Sequence, residues 1–96
     1  MEGDAAVKIF IHNSADNVAV ALADLKPGET VEFKVDGESR ELRVRDEIPY
    51  GHKIALRDIS KGEKVIKYGE VIGEATEDIP EGSHVHIHNI RSLKYR

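Results

Sequence analysis

The segment Asp58-Ile59-Ser60-Lys61-Gly62 is one of four copies of a short pattern that decides the fold of this chain. Each copy has an acidic residue, Ile or Leu, two variable residues and glycine, and a β-branched residue follows three positions later. The pattern predicts a corner, because the aliphatic side chain enters the core while glycine accepts the positive φ that precedes the next strand. The other copies are Asp24-Leu25-Lys26-Pro27-Gly28, Glu47-Ile48-Pro49-Tyr50-Gly51 and Asp78-Ile79-Pro80-Glu81-Gly82.

Four corners in 96 residues imply short strands that change direction repeatedly. The uneven spacing of the copies argues against a solenoid. Apolar residues alternate over residues 7–11 and 18–22, which predicts strands, although the alanines of the second segment leave a helix open. We therefore predict one compact all-β domain over residues 1–96, with at most a single helical turn near residues 56–60.

A hairpin is predicted over residues 30–45, with its turn at Asp36-Gly37. A four-residue loop would pair Phe33 with Leu42 and bury one face, and we prefer this register for that reason. A two-residue loop is the alternative, and it would set Phe33 opposite Arg40.

Composition excludes several classes of function. The chain has no cysteine, so disulfides, thiol catalysis and cysteine zinc sites are ruled out. A net charge of −4, with 33% charged residues, is unlike a nucleic-acid-binding protein. No apolar run reaches the roughly 20 residues that span a bilayer, and the acidic start Met1-Glu2-Gly3-Asp4 is unlike a secretory signal. We expect a soluble, cytoplasmic protein without nucleic-acid or membrane partners.

Three histidines near the end of the chain, His84, His86 and His88, alternate with Val85 and Ile87. A strand here would place three imidazoles on one face and both aliphatic side chains in the core. Neighbouring same-face residues lie about 6.5–7 Å apart, so two imidazoles can share a metal ion, whereas the outer pair is too distant for all three to do so. A solvated strand face is the alternative interpretation.

Two further histidines are candidates for a third metal ligand. His52 follows a corner glycine and precedes Lys53, and Asn89 directly follows the histidine triplet. These residues would form one polar cluster if the corners converge. Alternatively, His52 and Lys53 belong to an ordinary exposed turn, and His12 merely ends a strand. The sequence contains no phosphate-binding glycine loop, nucleophile elbow or paired catalytic carboxylates.

Four segments of the chain occur together in a known family: Asp16-Asn17-Val18-Ala19-Val20-Ala21-Leu22, Gly51-His52-Lys53, Val65-Ile66-Lys67-Tyr68-Gly69 and His84-Val85-His86-Ile87-His88-Asn89. They resemble the SAF domain of the altronate and galactarate dehydratases. The resemblance covers nearly the whole chain and implies the β-clip fold, which type III antifreeze proteins and sialic acid synthases share.

The resemblance also implies a function. Family members eliminate a group β to a carboxylate, so we expect the small subunit of a sugar-acid hydro-lyase, most simply altronate dehydratase. A divalent metal, Fe(II) or Mn(II), would assist, and a separate large catalytic subunit would be needed for activity. The expected roles are metal binding by His86, His88 and His12, catalysis by His52 as proton carrier together with Lys53, and substrate binding by Lys53, His84 and Asn89.

Other functions remain open on the sequence alone. Within this resemblance, the segment of residues 12–16 is one residue longer than expected for single-chain altronate dehydratases, and in this it resembles the small subunit of sulfolactate sulfo-lyase more closely. A carbohydrate-binding β-clip module and a metal-buffering protein are alternatives without catalysis. An ice-binding module is disfavoured, because it needs a flat and weakly charged face.

Overall fold

The computed structural model describes residues 8–11 and 14–93, and these residues form nine β-strands and no helix. The all-β prediction is therefore confirmed, and residues 56–60, where we allowed at most a single helical turn, contain none. Within the described ranges there is also no helix long and apolar enough to cross a membrane. The strands are β1 Ile9–Phe10, β2 Val18–Ala21, β3 Thr30–Val35, β4 Glu38–Arg43, β5 Lys53–Ala55, β6 Lys64–Lys67, β7 Glu70–Ala75, β8 His84–Val85 and β9 Ile90–Ser92.

The strands form three small antiparallel sheets. The first sheet has the order β1-β2-β5-β8, the second is the hairpin β3-β4, and the third has the order β6-β7-β9. Buried aliphatic side chains form two clusters, one between the first and second sheets and one between the first and third. The first sheet thus contributes to both clusters; its strand β8 contains His84, and His52 directly precedes β5.

The four corners associate in two pairs through their aliphatic residues. Leu25 forms an isolated β-bridge with Ile48, and Ile59 forms one with Ile79. All four side chains are at most 1% exposed, as the corner pattern predicts. The four corner glycines have φ values between 86° and 92°, and the β-branched residues that follow them are buried as well: Val31, Ile54, Val65 and Val85.

The acidic residues of the corners bind the paired corner. Asp58 Oδ1 accepts a hydrogen bond from the backbone N–H of Glu81 at 2.8 Å, and Asp24 and Asp78 accept equivalent bonds. The fourth acidic residue is Glu47. The position in the paired corner that would donate to it is Pro27, which has no N–H. Each acidic residue therefore stabilises the turn opposite it wherever that turn offers a donor.

The β3-β4 hairpin has the two-residue loop, so the register we preferred is wrong and the alternative is confirmed. Phe33 lies opposite Arg40, and Val35 lies opposite Glu38. Asp36 and Gly37 have φ values of 51° and 82°, which suits the tight turn that matches strand twist. Burial could not set the register, because most of the hairpin is exposed.

Asn17 joins the first sheet to the third. Its side chain is 1% exposed, and its Oδ1 accepts a hydrogen bond from the N–H of Ile66 at 2.7 Å while its Nδ2 donates to the carbonyl of Lys64 at 2.9 Å. Its backbone N–H also donates to the carbonyl of Ile66 at 3.1 Å. These bonds hold the end of β6 beside β2, the strand that also pairs with β5.

Candidate metal-binding histidine cluster

The histidine segment turns where we expected it to continue as a strand. Strand β8 contains only His84 and Val85, and Ile87 is 83% exposed, so the predicted core position of Ile87 is wrong. Asn89 explains the turn: its Oδ1 accepts a hydrogen bond from the N–H of His86 at 2.9 Å, and its Nδ2 donates to the carbonyl of His84 at 2.8 Å. The buried amide thus replaces the strand hydrogen bonds of this segment.

The turn brings imidazoles of two neighbouring strands together. The ring of His52 stacks on His86 at a centroid distance of 4.2 Å and on His84 at 5.0 Å. One ring nitrogen from each of these three residues lies within 4.8 Å of the others. We call His52, His84 and His86 the histidine cluster.

The cluster differs from the set of metal ligands expected from the sequence. His86 belongs to both sets, but the structure groups it with His52 and His84. His88 is exposed and contacts His84 at a centroid distance of 5.2 Å, because the turn shortens the separation that a strand would impose. His12 lies outside the described residues, so metal binding by His12 and by His88 stays a prediction.

The cluster has the donor chemistry of a divalent metal site. Nδ1 of His52 and Nε2 of His84 are 2.8 Å apart and share a hydrogen bond. Nδ1 of His86 is buried and has no hydrogen-bond partner among the described residues, which is unfavourable for a polar atom that no metal or other group satisfies. Imidazole nitrogens on one tetrahedral ion are about 3.4 Å apart, so small ring rotations bring all three donors into range.

The electrostatic environment favours the neutral forms of His84 and His86. Burial lowers the pKa of His84 below its ordinary value, and the neighbouring imidazoles lower it further, whereas Asp46 raises it. Burial also lowers the pKa of His86, with additional repulsion from His52 and Lys53. Because a metal binds the neutral ring, these shifts keep His84 and His86 in the binding form near neutral pH.

Lys53 adds a positive charge beside the cluster. It lies on β5, directly after His52 and opposite Val85 of β8. Burial lowers the pKa of the half-buried Lys53, and repulsion from Lys67 contributes as well. The sequence analysis identified Lys53 as a site residue but assigned no role to Lys67. It also missed Asp46, whose carboxylate accepts a hydrogen bond from the N–H of His84 at 2.9 Å.

Asn89 has a different place from the one expected. It is 4% exposed, and both ends of its amide bind the backbone of the turn that carries the histidines. The structure therefore makes it a positioning residue for His84 and His86. A direct contact between Asn89 and substrate stays a prediction.

Comparison with known proteins confirms the family resemblance found in the sequence. The sequence profile of the altronate/galactarate dehydratase SAF domain matches residues 7–93. The chain is 52% identical over 84 residues to altronate dehydratase of Escherichia coli K12, which covers 88% of this chain and 16% of that protein. It is 42% identical over 86 residues to galactarate dehydratase (L-threo-forming) of the same organism, covering 88% of this chain and 15% of that protein.

A shorter relative matches along its whole length. The chain is 34% identical over 93 residues to (2R)-sulfolactate sulfo-lyase subunit alpha of Chromohalobacter salexigens. This match covers 94% of the chain and 99% of the subunit. The chain therefore spans a small part of the dehydratases but nearly all of this subunit.

Proposed function

The chain belongs to the altronate/galactarate dehydratase SAF domain family, and we propose that it contributes to metal-assisted elimination of water from a sugar acid, most simply altronate. The observation that carries this proposal is the histidine cluster, in which His52 before β5, His84 in β8 and His86 after β8 place one ring nitrogen each within 4.8 Å of the others. The 52% identity to an altronate dehydratase supports the substrate.

We assign the metal to His52, His84 and His86, with Fe(II) or Mn(II) as the ion. A bound divalent cation would neutralise the charge that develops on the acid as its α proton leaves. A ring nitrogen that binds a metal carries no proton, so Nδ1 of His52 cannot serve as ligand and proton carrier at the same time. We favour the ligand role, since Nδ1 faces Nε2 of His84 at 2.8 Å.

Lys53 is the residue we assign to the substrate carboxylate. Lys53 is half-buried and directly follows His52 in the sequence, and among the described residues it forms no ion pair with Asp or Glu. A charge-assisted hydrogen bond to a carboxylate would compensate the desolvated charge. This contact would hold the α carbon of the acid beside the imidazoles.

We further propose that the site is completed by a large catalytic subunit on a separate polypeptide, without which the chain is inactive. The matched dehydratases are far longer than this domain, which covers 15–16% of them. Ile87 projects from the turn that carries the histidines and is 83% exposed, as expected of a residue that a partner covers.

A sulfo-lyase subunit is the second candidate. The match to (2R)-sulfolactate sulfo-lyase subunit alpha covers 99% of that subunit, which favours a separately encoded small subunit. The same site would then serve an elimination from a sulfonated acid. The two candidates differ in the leaving group and share the carboxylate contact.

The proposal is tested with a chimera in which residues 7–93 replace the SAF domain of the Escherichia coli altronate dehydratase. We expect the chimera loaded with Fe(II) or Mn(II) to dehydrate altronate, and His86→Ala to lower kcat by at least about 100-fold. His88→Ala changes the exposed histidine of the same turn, which our assignment leaves out of the metal site, and should retain most activity; a loss equal to that of His86→Ala would support the earlier prediction that His88 binds the metal. Equal activity of both variants would contradict the assignment of the cluster, and sulfolactate turnover without altronate turnover would favour the second candidate.

A further inference from the structure

Tyr50 occupies a position of the corner pattern that does not require an aromatic side chain. It is the fourth residue of its corner, and its backbone N–H donates to Asp24 Oδ1 at 2.8 Å. Lys61 and Glu81 hold the same position in two other corners, and their N–H groups donate equivalent bonds of 2.8 Å. This position therefore supplies a backbone donor to the corner, while the side chain of Tyr50 remains 68% exposed.

Ile87 is a second large apolar side chain that the fold leaves in solvent. It is 83% exposed and lies in the turn that Asn89 closes. Among the exposed large apolar side chains of the described residues, Ile87 and Tyr50 have the two highest exposed fractions. A tight turn favours glycine and small polar residues, so the turn itself does not explain an isoleucine here.

The two segments that carry these side chains contact each other. Residues 46–52 form a loop whose first residue accepts a hydrogen bond from the N–H of His84 at 2.9 Å. The imidazole of the last residue of this loop stacks on that of His86 at a centroid distance of 4.2 Å. Tyr50 lies within the loop, and Ile87 directly follows His86. Both exposed apolar residues thus belong to the segments that form the histidine cluster, which is where an interaction surface would also cover the site.

We propose that Tyr50 and Ile87 are the apolar residues on which the large catalytic subunit docks, so that this subunit covers the histidine cluster. This inference rests on the proposed function, to which it adds the location of the contact and Tyr50 as a contact residue. The domain covers only 16% of the Escherichia coli altronate dehydratase, so most of that chain lies outside it. A polypeptide of this size can enclose an aromatic and an aliphatic side chain at the centre of an interface and exclude water around them.

The test compares nitration of Tyr50 by tetranitromethane in the isolated chain and in the chimera of residues 7–93 with the altronate dehydratase. The chimeric segment contains one other tyrosine, Tyr68, which is 45% exposed on the β6-β7 hairpin and serves as the control within the same chain. We expect nitration of Tyr50 to be at least about tenfold slower in the chimera, because a residue at the centre of an interface is closed to solvent. Tyr68 should react at similar rates in both proteins, and peptide mass spectrometry measures the two residues separately.

Two variants separate docking from folding. In the chimera, Ile87→Ser should raise the nitration rate of Tyr50 at least about tenfold, because loss of a central apolar residue weakens an interface by that order. Val71→Ser is the control: Val71 is 45% exposed on β7 of the third sheet, and its variant should leave the rate unchanged. In the isolated chain, Ile87→Ser should keep the urea midpoint of the original, since its side chain is exposed.

Three results would overturn the inference. One is equal nitration of Tyr50 in the isolated chain and the chimera, and another is an equal effect of Ile87→Ser and Val71→Ser. The third is slow nitration of Tyr50 already in the isolated chain, as association of two copies of this chain through the same surface would cause. None of these measurements depends on turnover, so they would leave the proposed function intact, which turnover by the chimera tests.

Discussion

Gly82→Ala and Gly62→Ala should differ sharply in their effect on stability, although both glycines occupy the same position of the corner pattern. Their φ values are 86° and 87°, so each alanine variant pays the same conformational penalty of about 1–2 kcal/mol. At Gly62 an added Cβ would meet nothing within 4 Å. At Gly82 it would lie 2.0 Å from the carbonyl oxygen of Arg43.

The close approach at Gly82 adds a second penalty. The backbone at Gly82 must move to admit the methyl group, and two hydrogen bonds depend on the present position of this residue. The carbonyl of Gly82 accepts a hydrogen bond from the N–H of Arg45 at 2.9 Å, and the N–H of Gly82 donates to the carbonyl of Ala55 at 2.9 Å. Each bond contributes about 1 kcal/mol. We therefore expect Gly82→Ala to reduce the free energy of unfolding by about 3–4 kcal/mol, against about 1–2 kcal/mol for Gly62→Ala.

Urea unfolding followed by far-ultraviolet circular dichroism measures this difference, since the chain has no tryptophan to report it by fluorescence. Gly82 also lies two residues before His84, so its variant should bind Mn(II) or Zn(II) more weakly under conditions where both variants are folded. Equal urea midpoints for the two variants would refute the reasoning, because the close contact with Arg43 is the main difference between the sites.

Three further predictions concern the buried amides and the histidines. Asn17→Leu should lower the free energy of unfolding by about 2–4 kcal/mol, because the N–H of Ile66 loses its side-chain acceptor; a urea midpoint close to that of the original chain would contradict this role. Asn89→Ala should weaken binding of Mn(II) or Zn(II) at least about tenfold by calorimetric titration, since it frees the turn that holds His84 and His86; unchanged affinity would show that the turn does not depend on the amide. In the metal-free protein, the pKa values of His84 and His86 are lower in the folded state than their ordinary value of 6.5. Their contribution to the free energy of unfolding should therefore be complete above pH 6.5 and be lost as the pH falls below it. Urea midpoints between pH 7.5 and 5.5 measure this, and the dependence should be shallower in His86→Ala; a midpoint that rises on acidification would have the wrong sign.

The parts of the fold that the sequence predicted depend on local patterns. Each corner combines an aliphatic residue with a glycine at fixed spacing, and the packing requirement of Ile59 or the φ of Gly62 does not depend on distant residues. The hairpin register was predicted wrongly because burial and turn geometry favoured different pairings. The Asp36-Gly37 turn decided it, since the exposed hairpin gains little from burying one face.

The site required contacts that no local pattern specifies. Alternation of His84, His86 and His88 is typical of a strand. The amide of Asn89 instead binds the N–H of His86 and the carbonyl of His84, and these two hydrogen bonds close a turn. His52 meets the histidines because β5 pairs with β8, an association of residues 30 and 32 positions apart. In a continuous strand the three histidine side chains would lie on one face but remain spaced along it. His52 could then contact only some of them. The turn is therefore what converts a histidine-rich segment into a compact group of ring nitrogens, and the buried amide of Asn89 holds that turn through its two backbone hydrogen bonds.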